Sequence, residues 1–303
     1  MTTTYSSNLK AMRKACSRVG IALLLYLAAA YLCAWGLEIL VFLYFPELLT
    51  DTSILMLISD ISTYGAGALI FWGLLKPLAV ERPPQRSITS ARMGKLMLEA
   101  IGLMYSTAFF TSVAADFFSA AMGKETTNIL DSTIENMPIE SIILFTVIIA
   151  PICEEIIFRR ILFRRLLPMG QNFAVVISAC AFGLYHCNLY QLFYAIALGL
   201  LFGLITAKTG RIRYSIILHA FVNFIGTAAV IWLEPFLVLS IIFSILIYIL
   251  MFVGLLILIK DIRSLVPTSP SLDGCWKAAA SSPGMIVSGV LMLALSIIVT
   301  PIA

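Results

Sequence analysis

Two adjacent carboxylates, Glu154 and Glu155, interrupt an otherwise apolar stretch at residues 143–167, ILFTVIIAPICEEIIFRRILFRRLL. On insertion scales, a carboxylate at the centre of a membrane helix costs about 2.5–3.5 kcal/mol. An ionisable residue inside such a segment is therefore a candidate functional residue whose partners must be identified. A partly desolvated carboxylate also suits general-base chemistry near neutral pH. The pair thus indicates acid–base chemistry at membrane depth.

Helical geometry separates the two carboxylates. Residues four apart share one face of a helix, whereas adjacent residues differ in direction by about 100°. Glu155 and Arg159 are four apart, with the acid before the base, which is the favourable order. Glu154 has Phe158 at the corresponding position. We therefore predict that Arg159 neutralises Glu155 and that Glu154 stays free for chemistry.

The chain has two histidines, and both lie downstream of the double glutamate. His186 ends the segment FGLYH, with Phe182 four residues before it. His219 begins HAFVN, which places Asn223 on the same helical face. A single histidine in a membrane segment is more often a packing residue. Two histidines after two glutamates, one with an asparagine beside it, favour a shared site.

The elements that must position these residues are membrane helices. The chain has 303 residues, of which 61% are hydrophobic and 12% charged, whereas soluble domains have about 45–50% apolar and about 25% charged residues. Apolar segments of 18 or more residues recur, as expected for spanning helices. We predict an all-α fold, a polytopic transmembrane helical bundle of eight or nine spans. The candidate segments are 19–45, 53–80, 96–122, 143–167, 172–186, 189–207, 214–232, 235–259 and 285–302, the last being the weakest.

Charge alternates between successive loops. The N-terminus and four later segments are basic or mixed, whereas the loops at 46–51, 123–140 and Glu234 are mainly acidic. By the positive-inside rule the N-terminus is cytoplasmic, and we expect an integral protein of the plasma membrane. The net charge of +4 marks these loops and does not indicate nucleic acid. The predicted regions are a cytoplasmic N-terminus (1–18), three spans (19–139), a core of spans four to seven (140–232) and C-terminal spans (233–303).

Three short motifs resemble those of one protease family. The chain is similar, over about residues 140–230, to the CPBP family of intramembrane proteases, which is also called the Abi family and is related to the CAAX prenyl endopeptidases. Each motif alone is weak, but the three occur in the family's order on successive spans. They are EEIIFR (154–159) for EExxxR, FGLYH (182–186) for FxxxH, and HAFVN (219–223) for HxxxN.

The resemblance implies a role for each motif residue. Glu154 would act with His186 to activate a water for attack on the scissile carbonyl. His219 and Asn223 would stabilise the oxyanion as donors fixed on one helical face. The implied catalytic set has six members, of which the last two orient the others: Glu154, His186, His219, Asn223, Glu155 and Arg159.

Metal dependence is left open by the sequence. There is no HExxH motif, which excludes a zincin helix. Glu154, His186 and His219 could instead form a His₂Glu zinc set from three helices, with an open position for water. The sequence is therefore compatible with a glutamate-dependent protease and with a zinc metalloprotease.

The resemblance implies an intramembrane endopeptidase that hydrolyses a peptide bond in a lipidated or membrane-associated peptide or protein. The expected partners are that substrate and the lipid bilayer, with no nucleic acid. A proton-coupled transporter using the Glu/His set would predict internal repeats and broken helices in both halves, and the sequence shows no repeat. A non-catalytic membrane protein of immunity or scaffolding is the other alternative. Glu38 and Asp60, which lie in or near apolar segments, are assigned to no site.

Overall fold

The computed structural model describes residues 8–122, 137–267 and 271–299. Within these ranges the regular secondary structure is entirely helical, which confirms the predicted all-α fold. Most of the acidic 123–140 loop lies outside the described residues. The helices are α1 (Leu9–Tyr44), α2 (Thr52–Leu75), α3 (Ser90–Met122), α4 (Ile139–Met169), α5 (Gln171–Tyr185), α6 (Leu189–Thr209), α7 (Ile212–Leu233), α8 (Leu237–Leu265), α9 (Cys275–Ala280) and α10 (Pro283–Val299).

Seven of these helices are long and apolar enough to cross a membrane, namely α1 to α4 and α6 to α8. The predicted fifth and ninth spans correspond to the shorter helices α5 and α10. At 1.5 Å per residue, the 15 residues of α5 extend about 22 Å, less than the roughly 30 Å of a bilayer's hydrocarbon core. The seven long apolar helices make the chain an integral membrane protein. Helix α5, in contrast, ends within the thickness of the bilayer, close to the residues of the sequence motifs.

The basic segments meet at one end of the bundle. The backbone N–H of Glu81 donates to the carbonyl of Arg164, and that of Arg86 donates to Thr209. The Lys208 ammonium donates to the carbonyl of Ser264, just after the basic residues of α8. The loop after α2 and the ends of α4, α6 and α8 therefore lie on the same side, as the alternation of loop charge predicts.

Helices α5 and α6 form a closely packed antiparallel hairpin. A Cβ atom placed on Gly199 would lie 3.1 Å from the Cα of Ala179, so the small residues of α6 face α5 directly. The connecting turn is only three residues long, and Cys187 within it has φ of 46°, a left-handed conformation that is uncommon for a residue other than glycine. The tight turn holds His186 at the end of α5.

Helix α10 crosses α1 at two glycines. A Cβ atom on Gly284 would lie 2.1 Å from the Ser17 carbonyl oxygen, and one on Gly20 would lie 2.2 Å from the Gly284 carbonyl carbon. At the same crossing, the Gly284 N–H donates a hydrogen bond to the Ser17 hydroxyl at 3.1 Å. Close approach of the two backbones, which larger side chains would prevent, thus fixes α10 to the bundle.

Replacing Gly284 by leucine should force α10 away from α1. Because overpacking a tight contact destabilises by about 1–3 kcal/mol, we expect a lower midpoint of thermal unfolding in detergent. Gly289→Leu is the matched control on the same helix, since nothing lies within 4 Å of a Cβ atom at Gly289. Equal losses of stability in the two variants would contradict the glycine crossing.

Candidate active site

The site is built where α4 departs from regular α-helix. Residues Ile143–Ile149 and Ile156–Phe163 are π-helical, as are Ile61–Gly67 in α2 and Phe224–Ala228 in α7. Single π turns inside longer helices are frequent at functional sites because the wider turn redirects side chains. All three helices that contain π turns contribute polar residues to the site, and α5 contributes His186 and Ser178.

Pro151 follows the first π segment of α4 and leaves one backbone carbonyl of that segment without a helical hydrogen-bond donor. In that register the N–H of Ala150 donates to the carbonyl of Phe145, five residues earlier. The next donor would be residue 151, but proline has no N–H, so the carbonyl of Thr146 loses its helical partner. The side-chain amide of Asn223 takes this place and donates to the Thr146 carbonyl at 2.8 Å. The asparagine of the HxxxN motif is thereby attached to α4.

Glu155 and Arg159 form the buried centre of the site. The Arg159 Nε atom lies 3.3 Å from Glu155 Oε2, and both side chains are 0% exposed. His219 Nδ1 lies 3.3 Å from the other carboxylate oxygen, Glu155 Oε1. Since a carboxylate accepts, the histidine donates through Nδ1. The ion pair expected from helical spacing is present, and it also holds His219.

Glu154 points away from this pair and remains accessible, with 17% of its side chain exposed. The hydroxyl of Tyr64 in α2 donates to Glu154 Oε1 at 2.9 Å. The second oxygen, Oε2, lies 3.7 Å from His219 Nε2. His219 therefore lies between the two carboxylates, one at each ring nitrogen, and Glu154 is the one that a substrate or water can reach.

His186 is oriented by its own helix. Its Nδ1 atom lies 2.8 Å from the carbonyl oxygen of Phe182, so that Nδ1 carries the proton and a neutral ring keeps a lone pair on Nε2. The Phe182 ring meets the His186 and His219 rings edge-on, with centroids 4.9 Å and 5.6 Å away. The described hydrogen bonds and ion pairs thus place His219, and not His186, against Glu154.

Several site neighbours fall outside the motif residues. Ser178 accepts a hydrogen bond from Arg159 at 3.2 Å, and the Phe202 ring stacks on His219 with centroids 5.3 Å apart. Tyr64 lies on a span without a motif, and its spacing gave no signal that could have identified it. Asp60, one turn before Tyr64, is buried within electrostatic range of Glu154, and its Oδ2 atom has no hydrogen-bond partner among the described residues.

A zinc ion would require Glu154, His186 and His219 to converge on one point at about 2.0–2.2 Å. Within residues 8–122, 137–267 and 271–299, no group of three His, Cys, Asp or Glu side chains is arranged to hold a metal ion. The zinc set left open by the sequence is therefore not assembled in this structure, because His186 faces its own helix while His219 contacts the two glutamates.

This geometry defines the class of the protein: it is an all-helical membrane protein with a Glu/His site inside the bundle. Residues 138–225 match the family model described as Type II CAAX prenyl endopeptidase Rce1-like. The match confirms the family assignment predicted from the three motifs: this segment belongs to the CPBP, or CAAX protease, family. Because this family model describes an endopeptidase, the match supports a hydrolase function at family level. Searches of curated proteins and of solved structures returned no match.

Removing Arg159 should be costly because it leaves the Glu155 carboxylate buried and unpaired. We expect Arg159→Ala to lower the free energy of unfolding by about 3–5 kcal/mol, measured by thermal or denaturant unfolding in detergent. Arg160→Ala is the matched control, since the neighbouring Arg160 is exposed. In the double variant Glu155→Gln/Arg159→Met, part of the loss should be recovered because neither charge remains. No recovery would show that packing of the arginine, rather than its charge, provides the stability.

Proposed function

We propose that this protein is an intramembrane endopeptidase in which Glu154 is the general base. The proposal rests on the different environments of the two adjacent carboxylates. Glu155 is fully buried against Arg159, whereas Glu154 is partly exposed, bonded by Tyr64 and adjacent to His219. A fixed, accessible carboxylate beside a histidine is suited to accept a proton from water.

In the proposed reaction, Glu154 takes a proton from a water molecule whose oxygen attacks the carbonyl carbon of the scissile peptide bond. The C–N bond then breaks as the protonated Glu154 returns that proton to the leaving nitrogen, so that Glu154 is again a carboxylate and the products are a carboxylic acid and an amine. His186, with an Nε2 lone pair in its neutral form, assists the water. Tyr64 keeps Glu154 in place, and Glu155 keeps His219 in place.

Asn223 and His219 are the proposed oxyanion donors, His219 through Nε2–H of a ring protonated on both nitrogens, because its Nδ1–H is held by Glu155. The Asn223 side-chain amide has two N–H groups, of which one donates to Thr146 and the other remains for a substrate oxygen. A donor that is already fixed needs no reorganisation when charge develops in the transition state, which is how such sites accelerate acyl transfer. The arrangement supports an oxyanion role for a side chain that also closes a gap in α4.

The proposed substrate is a lipidated or membrane-associated peptide. The support is the description of the matching family as prenyl endopeptidases, together with a site on helices that cross the membrane. We further propose that the basic end of the bundle is cytoplasmic and that the N-terminus lies on that side in the plasma membrane. The positive-inside rule supports this orientation.

Glu154→Gln should abolish peptidase activity while leaving the fold intact. Purified protein in proteoliposomes would be incubated with prenylated and unmodified membrane peptides, and the products identified by mass spectrometry. Because general-base catalysis contributes about 10²–10⁴-fold, we expect a rate loss of that size. Glu140→Gln is the control, an exposed glutamate at the start of the same helix. Undiminished cleavage by Glu154→Gln would contradict the assignment of Glu154 as the general base. If a chelator abolished the activity and zinc restored it, the protein would instead be a metalloprotease.

Tyr64→Phe tests the residue that no motif contains. Because a hydrogen bond to a charged group contributes about 1.5–3 kcal/mol, its loss should lower the unfolding midpoint and should lower kcat about tenfold or more at temperatures where the variant is still folded. Tyr44→Phe, at an exposed tyrosine, should leave kcat unaltered. If Tyr64→Phe retains full kcat, Tyr64 has no part in positioning Glu154.

A further inference from the structure

An apolar groove of about 410 Å³ lies among α3, α5, α6 and the end of α8. It opens where the end of α8 approaches the α5–α6 hairpin, and none of its lining residues belongs to the candidate active site. We call it the apolar groove. The residues that line it are almost all aliphatic: Leu103, Asn172, Val175, Val176, Ala197, Leu200, Leu201, Leu204, Leu258, Ile262 and Val266.

A second cavity, of about 300 Å³, lies at the basic end of the bundle. It is lined by Arg86 and Lys208, which are exposed, and by Gln171. Two prolines, Pro84 and Pro267, complete its wall together with Ala207 and Val266, and no acidic side chain of the described residues lines it. We call this cavity the basic pocket. Lys208 uses one of its three N–H donors on the Ser264 carbonyl, so that two remain for a ligand.

The apolar groove and the basic pocket adjoin each other. Val266 lines both cavities, and on α5 Gln171 lines the pocket while the next residue, Asn172, lines the groove. On α6, Leu200, Leu204 and Lys208 follow one another at intervals of four and therefore share one face. The two cavities thus form a single elongated site, apolar towards the middle of the bundle and basic at its end.

Both charged side chains that line the basic pocket are positive. Asp261, the acid on the adjoining turn of α8, is paired with Arg92 and does not line the pocket. Basic clusters at the end of membrane helices attract anionic lipid headgroups by about 1 kcal/mol for each Lys or Arg. Arg86 and Lys208 form no ion pair with the described residues. An apolar groove that ends at two such cations is complementary to an anionic amphiphile, whereas a free anion would leave the groove empty.

We propose that the apolar groove and the basic pocket together bind one anionic phospholipid. Its phosphate lies between Arg86 and Lys208, and an acyl chain lies along Leu200, Leu204 and Leu258. The lipid fills the gap between α8 and the α5–α6 hairpin, next to the helix that carries His186. This site is independent of the proposed peptidase activity, because its lining shares no residue with that site.

Native mass spectrometry of the full chain tests the proposal, with mixed phosphatidylglycerol and phosphatidylcholine as the probe lipids. The wild type should retain one phosphatidylglycerol in preference to phosphatidylcholine. Since each basic side chain is worth about fivefold in binding, Arg86→Gln/Lys208→Gln should lower that preference at least tenfold. Leu204→Trp, which fills the groove, should reduce retention of the lipid while leaving both cations in place.

Arg13→Gln/Lys14→Gln is the matched control, since it removes two exposed basic residues at the same net charge change. It should bind lipid as the wild type does. Equal retention of the two lipids by the wild type, or an unchanged preference in Arg86→Gln/Lys208→Gln, would overturn the proposal. So would displacement of the lipid by millimolar inorganic phosphate, because the pocket would then bind a free anion without the groove.

Discussion

Glu155 and Arg159 lie one turn apart in α4, and neither side chain is exposed to solvent. Each buried charge would be strongly destabilising without the other, because removing one partner leaves an uncompensated charge at low dielectric. The remaining carboxylate oxygen of Glu155 holds His219, and Arg159 in turn contacts Ser178 and lies 5.4 Å from the Phe182 ring centroid. This one pair therefore makes polar contacts with both α5 and α7, which, together with the Asn223–Thr146 hydrogen bond, position these helices around Glu154.

Local parts of this arrangement were predictable, because they depend only on helical spacing. The Glu155–Arg159 pair follows from an interval of four residues in one helix, and the all-α bundle follows from recurrent apolar segments. The contact of His219 with Glu155 joins residues 64 apart in the chain, and that of Tyr64 with Glu154 joins residues 90 apart. Neither contact is encoded by spacing, since both depend on how helices cross.

The length of α5 determines where His186 lies in the bundle. A helix of 15 residues cannot cross about 30 Å of hydrocarbon, so its end must lie inside the protein, where its carbonyl groups need partners. His186 Nδ1 satisfies the carbonyl of Phe182, and the strained turn at Cys187 returns the chain into α6. Burial in the hairpin with α6 makes the short helix tolerable; the predicted segments 172–186 and 189–207 place its end correctly, but not the contacts that satisfy it.

Pro151 connects the backbone of α4 to the proposed chemistry. It lies three residues before Glu154, and its missing N–H frees the Thr146 carbonyl that the Asn223 amide then occupies. Because one N–H of that amide is held by α4, the direction of the other is set by the same helix that positions Glu154. The proposed general base and the proposed oxyanion donor, on the separate helices α4 and α7, are thereby held in fixed relation to each other. The proline and the asparagine are best understood as one structural unit, in which a defect of the helix orients the side chain that compensates it.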